Sequence, residues 1–263
     1  MQKVYEALTS AFRRNEGYLS KPAYARIVKK NSSFPEDTET TFVLLQASGY
    51  PIEEDGSRYR LATFFTPYRE QKYCVIDIET NGSKPESAQV IEVGAVMIQN
   101  GEIINRFESF VECTFVPEYI SRITGITHED LIGASTQLSV FQALRVFMDD
   151  AIFVAHNVNF DYGFLNYSFE RFGLGSIGNQ KLCSIDLSRR TIKSERYGLA
   201  YLSESLALGD HNHHRAFSDA LATAKLLEIA FDGLPEYVKT TDNLLTFSNS
   251  SRKERTVKQN LNS

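Results

Sequence analysis

The chain changes its hydrophobic rhythm near residue 70. Before that point, Val4 to Phe12 and Pro22 to Lys30 carry apolar residues at helical spacing, the second stretch introduced by Ser20 as a capping residue. Thr38 to Gly49 continues the period with Phe42, Leu44 and Leu45 and stops at a glycine. Tyr50 to Leu61 alternates around Asp55-Gly56, a turn dipeptide that predicts a hairpin. Residues 1–70 therefore read as a small separate unit of three helices and two strands.

From residue 71 strands and helices alternate. Val90 to Gln99 and Glu102 to Val111 flank Asn100-Gly101, and with the stretch from Tyr73 they predict an antiparallel meander. Pro117 to Ile123 predicts a short helix ending at Thr124-Gly125, and Thr127 with Asp130 resembles a capping box. Next come a helix over Gln137 to Met148, an apolar strand over Ala151 to Ala155, a helix over Asn159 to Phe172 and a strand over Lys181 to Ile185. Helices over Leu199 to Leu208 and Ala216 to Phe231 complete a three-layer α/β domain with a mixed sheet, spanning 71–235. Beyond about residue 236 apolar periodicity fades, which predicts a mobile tail over 236–263.

Composition narrows the class. With 263 residues and 42% hydrophobic content the chain can bury a core for one ordinary domain and an appendage. A net charge of −5 argues against a generally basic nucleic-acid coat but leaves room for a local cationic or metal-bearing groove. Cys74, Cys113 and Cys183 are far apart and odd in number, so neither a disulfide framework nor a zinc site is suggested. No apolar run is long enough for export or membrane insertion, and a reducing cytoplasm is the expected compartment.

The candidate chemistry begins in Tyr73-Cys74-Val75-Ile76-Asp77-Ile78-Glu79-Thr80, a buried-strand pattern interrupted by two acids. Strand side chains alternate, so Asp77 and Glu79 point to one face, roughly 7 Å apart along it. A shared cation accounts for two such charges; a solvated edge or an ion pair is the alternative. Asp161 falls on the first turn of a helix that follows an apolar strand, at the carboxyl edge of the sheet, where α/β ligand sites gather. His214 precedes the last helix and Asp219 lies on its first turns, five residues on, too far apart for one helix face.

Together the segments DIETNG, VIEVGAV, TGITHEDL, AHNVNFD and HRAFSDA resemble, in order, the DEDDh group of 3′-5′ exonucleases over about residues 71 to 232. The motifs are most similar to the proofreading epsilon subunits of bacterial DNA polymerase III. The resemblance implies a ribonuclease H-like fold and a 3′-5′ exonuclease that releases nucleoside monophosphates from DNA 3′ ends in replication proofreading or repair. It implies Asp77, Glu79, Asp161 and Asp219 as ligands of two Mg²⁺ or Mn²⁺ ions and His214 as general base, while His211 and His213 fall outside the motif. Oxygen ligands favour these hard ions over zinc. Thr80, Asn81 and Gly82 stand beside the acids as candidates to grip the terminal nucleotide. Asn157 and Phe160 are candidates for the sugar and a stacked base, with core packing as the other reading of Phe160. Glu92 reads as a structural or supporting acid.

The run LLQASGYPIEEDGSRYRLA resembles the third helix and wing of winged-helix domains, but acids crowd that surface, so a docking or stability module is favoured over a DNA reader. The expected partners are single-stranded or frayed DNA 3′ ends, a replicative DNA polymerase and its sliding clamp. Asn243-Leu244-Leu245-Thr246-Phe247 loosely resembles clamp-holding peptides but lacks their glutamine, and an amphipathic turn is the other reading. Two further functions stay open at this point: trimming of RNA 3′ ends by the same chemistry, and a nucleic-acid-binding regulator acting through the N-terminal unit.

Overall fold

In the computed structural model, which describes residues 1–32, 37–208 and 215–250, the chain builds two sheets. Helix α1 (Gln2–Arg14), strand β1 (Tyr18–Ser20) and helices α2 (Lys21–Asn31) and α3 (Thr38–Ala47) lead into the hairpin of β2 (Ile52–Asp55) and β3 (Arg58–Leu61). The Ser20 hydroxyl accepts from the Ala23 amide and starts α2, and the Asp37 carboxylate accepts from the Thr40 amide and starts α3. The expected two-stranded hairpin gains a third strand, because β1 pairs antiparallel with β3. Three residues are too few to display a period of two, so β1 is set by pairing and not by pattern. Val4, Leu8, Phe12, Tyr24, Val28, Leu45, Ile52 and Leu61 close a core of their own.

The larger sheet has the order β6-β5-β4-β7-β8. Strands β4 (Tyr73–Thr80), β5 (Val90–Gln99) and β6 (Glu102–Phe110) form the antiparallel meander. After α4 (Glu118–Thr124), α5 (His128–Leu131) and α6 (Gln137–Met148), strand β7 (Ile152–Ala155) joins parallel to β4. Helix α7 (Val158–Arg171) then crosses over to β8 (Lys181–Cys183), parallel to β7, and α8 (Ser184–Thr191), α9 (Leu199–Ser205) and α10 (Ala216–Asp232) follow. Helix α8 was not expected, since its short polar sequence buries little beyond Ser184, Leu187 and Ser188.

Alternation along β4 sorts the layers. Tyr73 and Val75 share one core with Val96, Ile98 and Val154 and with Ala224, Leu227 and Phe231 of α10. Cys74, Ile76 and Ile78 share the other with Met97, Phe153, Phe141 and Leu144 of α6, and Leu165 and Phe169 of α7. The three-layer mixed α/β architecture is thus the one expected.

The expected mobile tail is corrected over part of its length. Residues 241–249 form α11 (Thr241–Asn249), capped by Thr240 and Asn243 in a reciprocal capping box. Leu244 and Leu245 are buried against the β4 face shared with α10. The Thr241 amide donates to Thr66 O at 2.9 Å, and Arg13 Nε donates to Asp242 Oδ1 at 3.1 Å. Its partners lie far away in sequence, which is why local polarity was misleading. The clamp-like segment Asn243–Phe247 is therefore a packed helix with its leucines turned inward. Residues 251–263 of the expected tail lie outside the described residues.

The two sheets are joined closely. The Gly178 amide donates to Ser48 O at 2.8 Å, and a Cβ on Gly178 would fall 2.3 Å from Ser48 Oγ. The Arg145 guanidinium donates to the carbonyls of Ser48, Leu174, Gly175 and Ser176 across the same seam. No described helix is long and apolar enough to cross a membrane.

Candidate active site

Asp77 and Glu79 are in phase with Tyr73 and Val75, so they continue the face that packs under α10. That face turns from apolar to acidic where α10 begins. Gly94 on β5 pairs with Asp77, and a Cβ there would lie 2.1 Å from the Phe217 amide nitrogen and 2.2 Å from the Ala216 carbonyl carbon. Only a residue without a side chain lets the first turn of α10 rest on the sheet at this point. The turn so placed brings Asp219 to the strand, and one carboxylate oxygen from each of Asp77, Glu79 and Asp219 lies within 4.8 Å of the others.

Asp161 arrives from the opposite layer. The turn from β7 into α7 passes through Asn157, whose left-handed φ of 78° is a conformation asparagine tolerates better than most residues. Asp161, 3% exposed on the first turn of α7, accepts a 3.3 Å hydrogen bond from the Ile78 amide, between Asp77 and Glu79 in sequence. All four acids thus converge on the carboxyl end of β4. Three form the tight oxygen group, and Asp161 meets the strand through its backbone.

Burial and mutual repulsion dominate the electrostatics. Burial, then the charges of Asp161, Asp219, Glu79 and Glu92, hold the Asp77 carboxyl well above the usual range. Glu79 is pushed up to about 8 by burial, then by Glu92, Asp219 and Asp161, with Arg215 opposing. Asp161 is pushed up to about 7 by burial, against hydrogen bonds from its own amide and that of Ile78. Oxygen donors that hold their protons this tightly are under-compensated in positive charge. A divalent cation fits the donor set and supplies what is lacking.

The sequence pattern singled out Glu92 but not its partner. Glu92, 1% exposed on β5, pairs with Glu79 across the strands and accepts from Arg215 Nη2 at 2.8 Å, from Arg215 Nε at 3.1 Å and from the Ala216 amide at 3.0 Å. One buried carboxylate therefore fixes the residue before α10 and the first amide of the helix, and Asp219 N–H closes the turn on Arg215 O at 3.0 Å. An arginine inside HRAFSDA looks like solvent-facing charge, and only the fold sets it opposite a strand acid. His156 likewise carries no signal of its role in the sequence pattern. Its Nδ1 meets Ser184 Oγ at 2.8 Å and its Nε2 meets Tyr197 O at 2.9 Å. Burial pushes its pKa down to about 4, so it is a neutral brace between the start of α8 and the loop that leads into α9, and not an acid–base group.

The remaining candidates divide. Thr80 Oγ1 donates to Gly82 O at 2.8 Å, closing the turn after β4. Asn81 donates to Phe115 O at 3.0 Å and accepts from the Gln89 amide at 2.8 Å, so its side chain braces neighbouring loops. Asn157 is exposed and makes no capping bond with its side chain. Phe160 is 36% exposed and rests against Phe164 with ring centroids 5.9 Å apart, which leaves part of its ring open to solvent. His214, with His211 and His213, lies outside the described residues.

Against known proteins, the family model described as Exonuclease matches residues 74–227. The DNA polymerase III PolC-type protein of Halalkalibacterium halodurans is 38% identical over 180 residues, covering 67% of this chain and 12% of that protein. That of a bovine strain of Staphylococcus aureus is 38% identical over 176 residues, covering 66% of this chain and 12% of that protein. This chain thus spans about an eighth of the length of these curated relatives. Among solved structures, E. coli exonuclease I in complex with a dT13 oligonucleotide superposes with a TM-score of 0.56 at 14% identity, covering 62% of this chain and 41% of that one. Exonuclease X in complex with 5′ overhanging duplex DNA gives 0.53 at 22% identity, covering 67% and 99%. These two structures bear on the fold.

Proposed function

The chain belongs to the exonuclease family, and from that premise we propose that it is a two-metal 3′-5′ exonuclease acting on single-stranded or frayed DNA ends, in proofreading or repair. The observation that carries the reading is the convergence of Asp77, Glu79 and Asp219 from β4 and α10, with Asp161 arriving from α7. Asp77, Glu79, Asp161 and Asp219 are the residues that would hold two Mg²⁺ or Mn²⁺ ions. When bound, such ions make hydroxide available near neutral pH and neutralise charge on the phosphate and on the departing 3′ oxygen. The protein's own part is placement. Glu92 and Arg215 fix the start of α10, Gly94 sets its distance from β4, and Asn157 and Phe160 offer polar and aromatic surface to the terminal nucleotides. His214, next to Arg215, is assigned the proton from the attacking water, a role suited to an imidazole near neutral pH.

DNA is favoured over RNA because the PolC-type relatives are DNA polymerases by name and both structural neighbours were solved with DNA. The relatives' polymerase setting also supports a replicative polymerase as partner. The deciding assay follows mononucleotide release from 3′-labelled and 5′-labelled single strands, DNA and RNA in parallel, with Mg²⁺ and with EDTA. Immediate release of the 3′ label as mononucleotide from DNA, abolished by EDTA, is expected. Release starting from the 5′ label, or undiminished release in EDTA, contradicts the proposal, and faster digestion of RNA moves the substrate to RNA 3′ ends. His214→Ala is expected to keep oligonucleotide binding while kcat falls at least about a hundredfold; full turnover in that variant removes the histidine from the mechanism.

A further inference from the structure

We propose that the cleft between α1 and the β8 edge of the nuclease sheet carries the phosphate backbone of the substrate strand beyond its terminal nucleotides. This rests on the exonuclease reading and extends it to a second binding surface. The cleft is open, about 560 Å³ in volume, and Arg13, Arg14, Tyr50, Tyr162 and Lys181 are among its walls.

Charge is the first argument. In a chain of net charge −5 this wall holds three cations, and Glu6 is its one acid. Arg13 is matched by Asp242 at 3.1 Å, outside the wall. Arg14 bonds to Ser10 Oγ at 3.0 Å and Lys181 to Asn159 Oδ1 at 3.0 Å, and neither has a carboxylate partner among the described residues. Behind them the Arg145 guanidinium is spent on carbonyl oxygens, so its charge is not cancelled locally. Two cations without a carboxylate partner among the described residues, and a third behind them bonded only to carbonyls, suit a run of phosphates.

Continuity is the second. Lys181 reaches Asn159 on the first turn of α7, beside the half-open ring of Phe160 and two residues before Asp161. Lys181 is thus the wall residue of the cleft that is hydrogen-bonded to the helix turn carrying Asp161.

Rigidity is the third. The cleft lies along a seam where Gly178 and Ser48 touch too closely for a side chain, so it is formed before ligand arrives and costs little ordering on binding. Its tyrosines do not offer open ring faces, since Tyr5, Tyr50 and Tyr162 are 5%, 2% and 8% exposed. The surface is one that follows phosphates and does not read bases.

The test compares wild type with the double variant Arg14→Glu, Lys181→Glu and with Arg14→Gln, Lys181→Gln as a milder form, both positions being exposed. Three substrates are used: a twenty-nucleotide oligothymidylate, a trinucleotide, and the p-nitrophenyl ester of thymidine 5′-monophosphate. The expected result is a KM on the long strand raised about tenfold, with kcat and both small substrates unchanged. The slope of log KM against log salt on the long strand should fall by about 1.4 as two phosphate contacts are lost. An equal change on long and short substrates, or none on the long strand, overturns the cleft as a strand path. Equilibrium binding of the labelled oligothymidylate in EDTA probes the cleft without cleavage, and unweakened binding by both variants also overturns it. A wild type that cleaves none of the three substrates, yet binds the long strand more tightly than the variants, overturns the exonuclease reading and leaves the cleft standing.

Discussion

At the scale of single residues, the acidic site stores unfavourable charge. Asp77, Glu79 and Asp161 all hold their protons above the usual carboxyl range, because burial and neighbouring acids disfavour ionisation. Asp77→Asn replaces one of these buried carboxyls with a neutral amide at nearly constant shape. Nuclease activity is expected to fall by at least about a thousandfold, while the metal-free protein gains about 1–2 kcal/mol of stability. Calorimetry in EDTA beside a nuclease assay checks both; an Asn variant less stable than wild type would mean the repulsion is relieved by other means. Lone residues were also where the sequence misled least about identity and most about duty. Asn81 reads as a nucleotide grip, yet its amide is spent on Phe115 and Gln89. An amide's partners are set by loops folded against it from elsewhere, and its own neighbours in sequence say nothing of them.

Among the elements, the contact of α10 with β5 decides whether the acids meet. The Asp77–Gly94 pair puts the one position without a side chain under the backbone of Ala216 and Phe217. Gly94→Ala must push the helix start outward, and Asp219 moves with it. A displacement of about 1 Å at a reacting centre costs on the order of a hundredfold in kcat, with loss of metal affinity visible by calorimetric titration. Wild-type kcat in this variant would show that α10 adjusts without moving Asp219. Glu92 and Arg215 act on the same junction, tying the helix start to the strand through a buried carboxylate. The glycine and the glutamate were legible as a motif, VIEVG, but the reason for them was not, because the helix they support begins more than 120 residues later.

For the whole molecule, two consequences follow. The raised carboxyl pKa values mean that the folded protein binds protons more tightly than the unfolded chain, whose carboxyls titrate at about 4. Their contribution to stability is complete below that pH and is lost as pH rises through about 7 for Asp161 and about 8 for Glu79. The metal-free protein should therefore melt lower at pH 8.5 than at pH 6, and Mg²⁺ should close most of that gap, as read by calorimetry; a Tm unaffected by Mg²⁺ at the higher pH argues against a cation among these acids. Separately, α11 seals the β4 face shared with α10 and ties it to α1. Leu245→Ala is expected to cost about 2–4 kcal/mol in chemical denaturation, far more than a mobile tail would show. The sequence by itself determined the alternation of strands and helices and the identity of the acids, because local periodicity and short motifs encode them. Tertiary structure alone decided that β1 completes a sheet, that α11 is packed, which face of β4 the acids share with α10, and which polar side chains are left free. Those outcomes depend on surfaces brought together from distant parts of the chain, and no window of neighbouring residues contains both halves of such a contact.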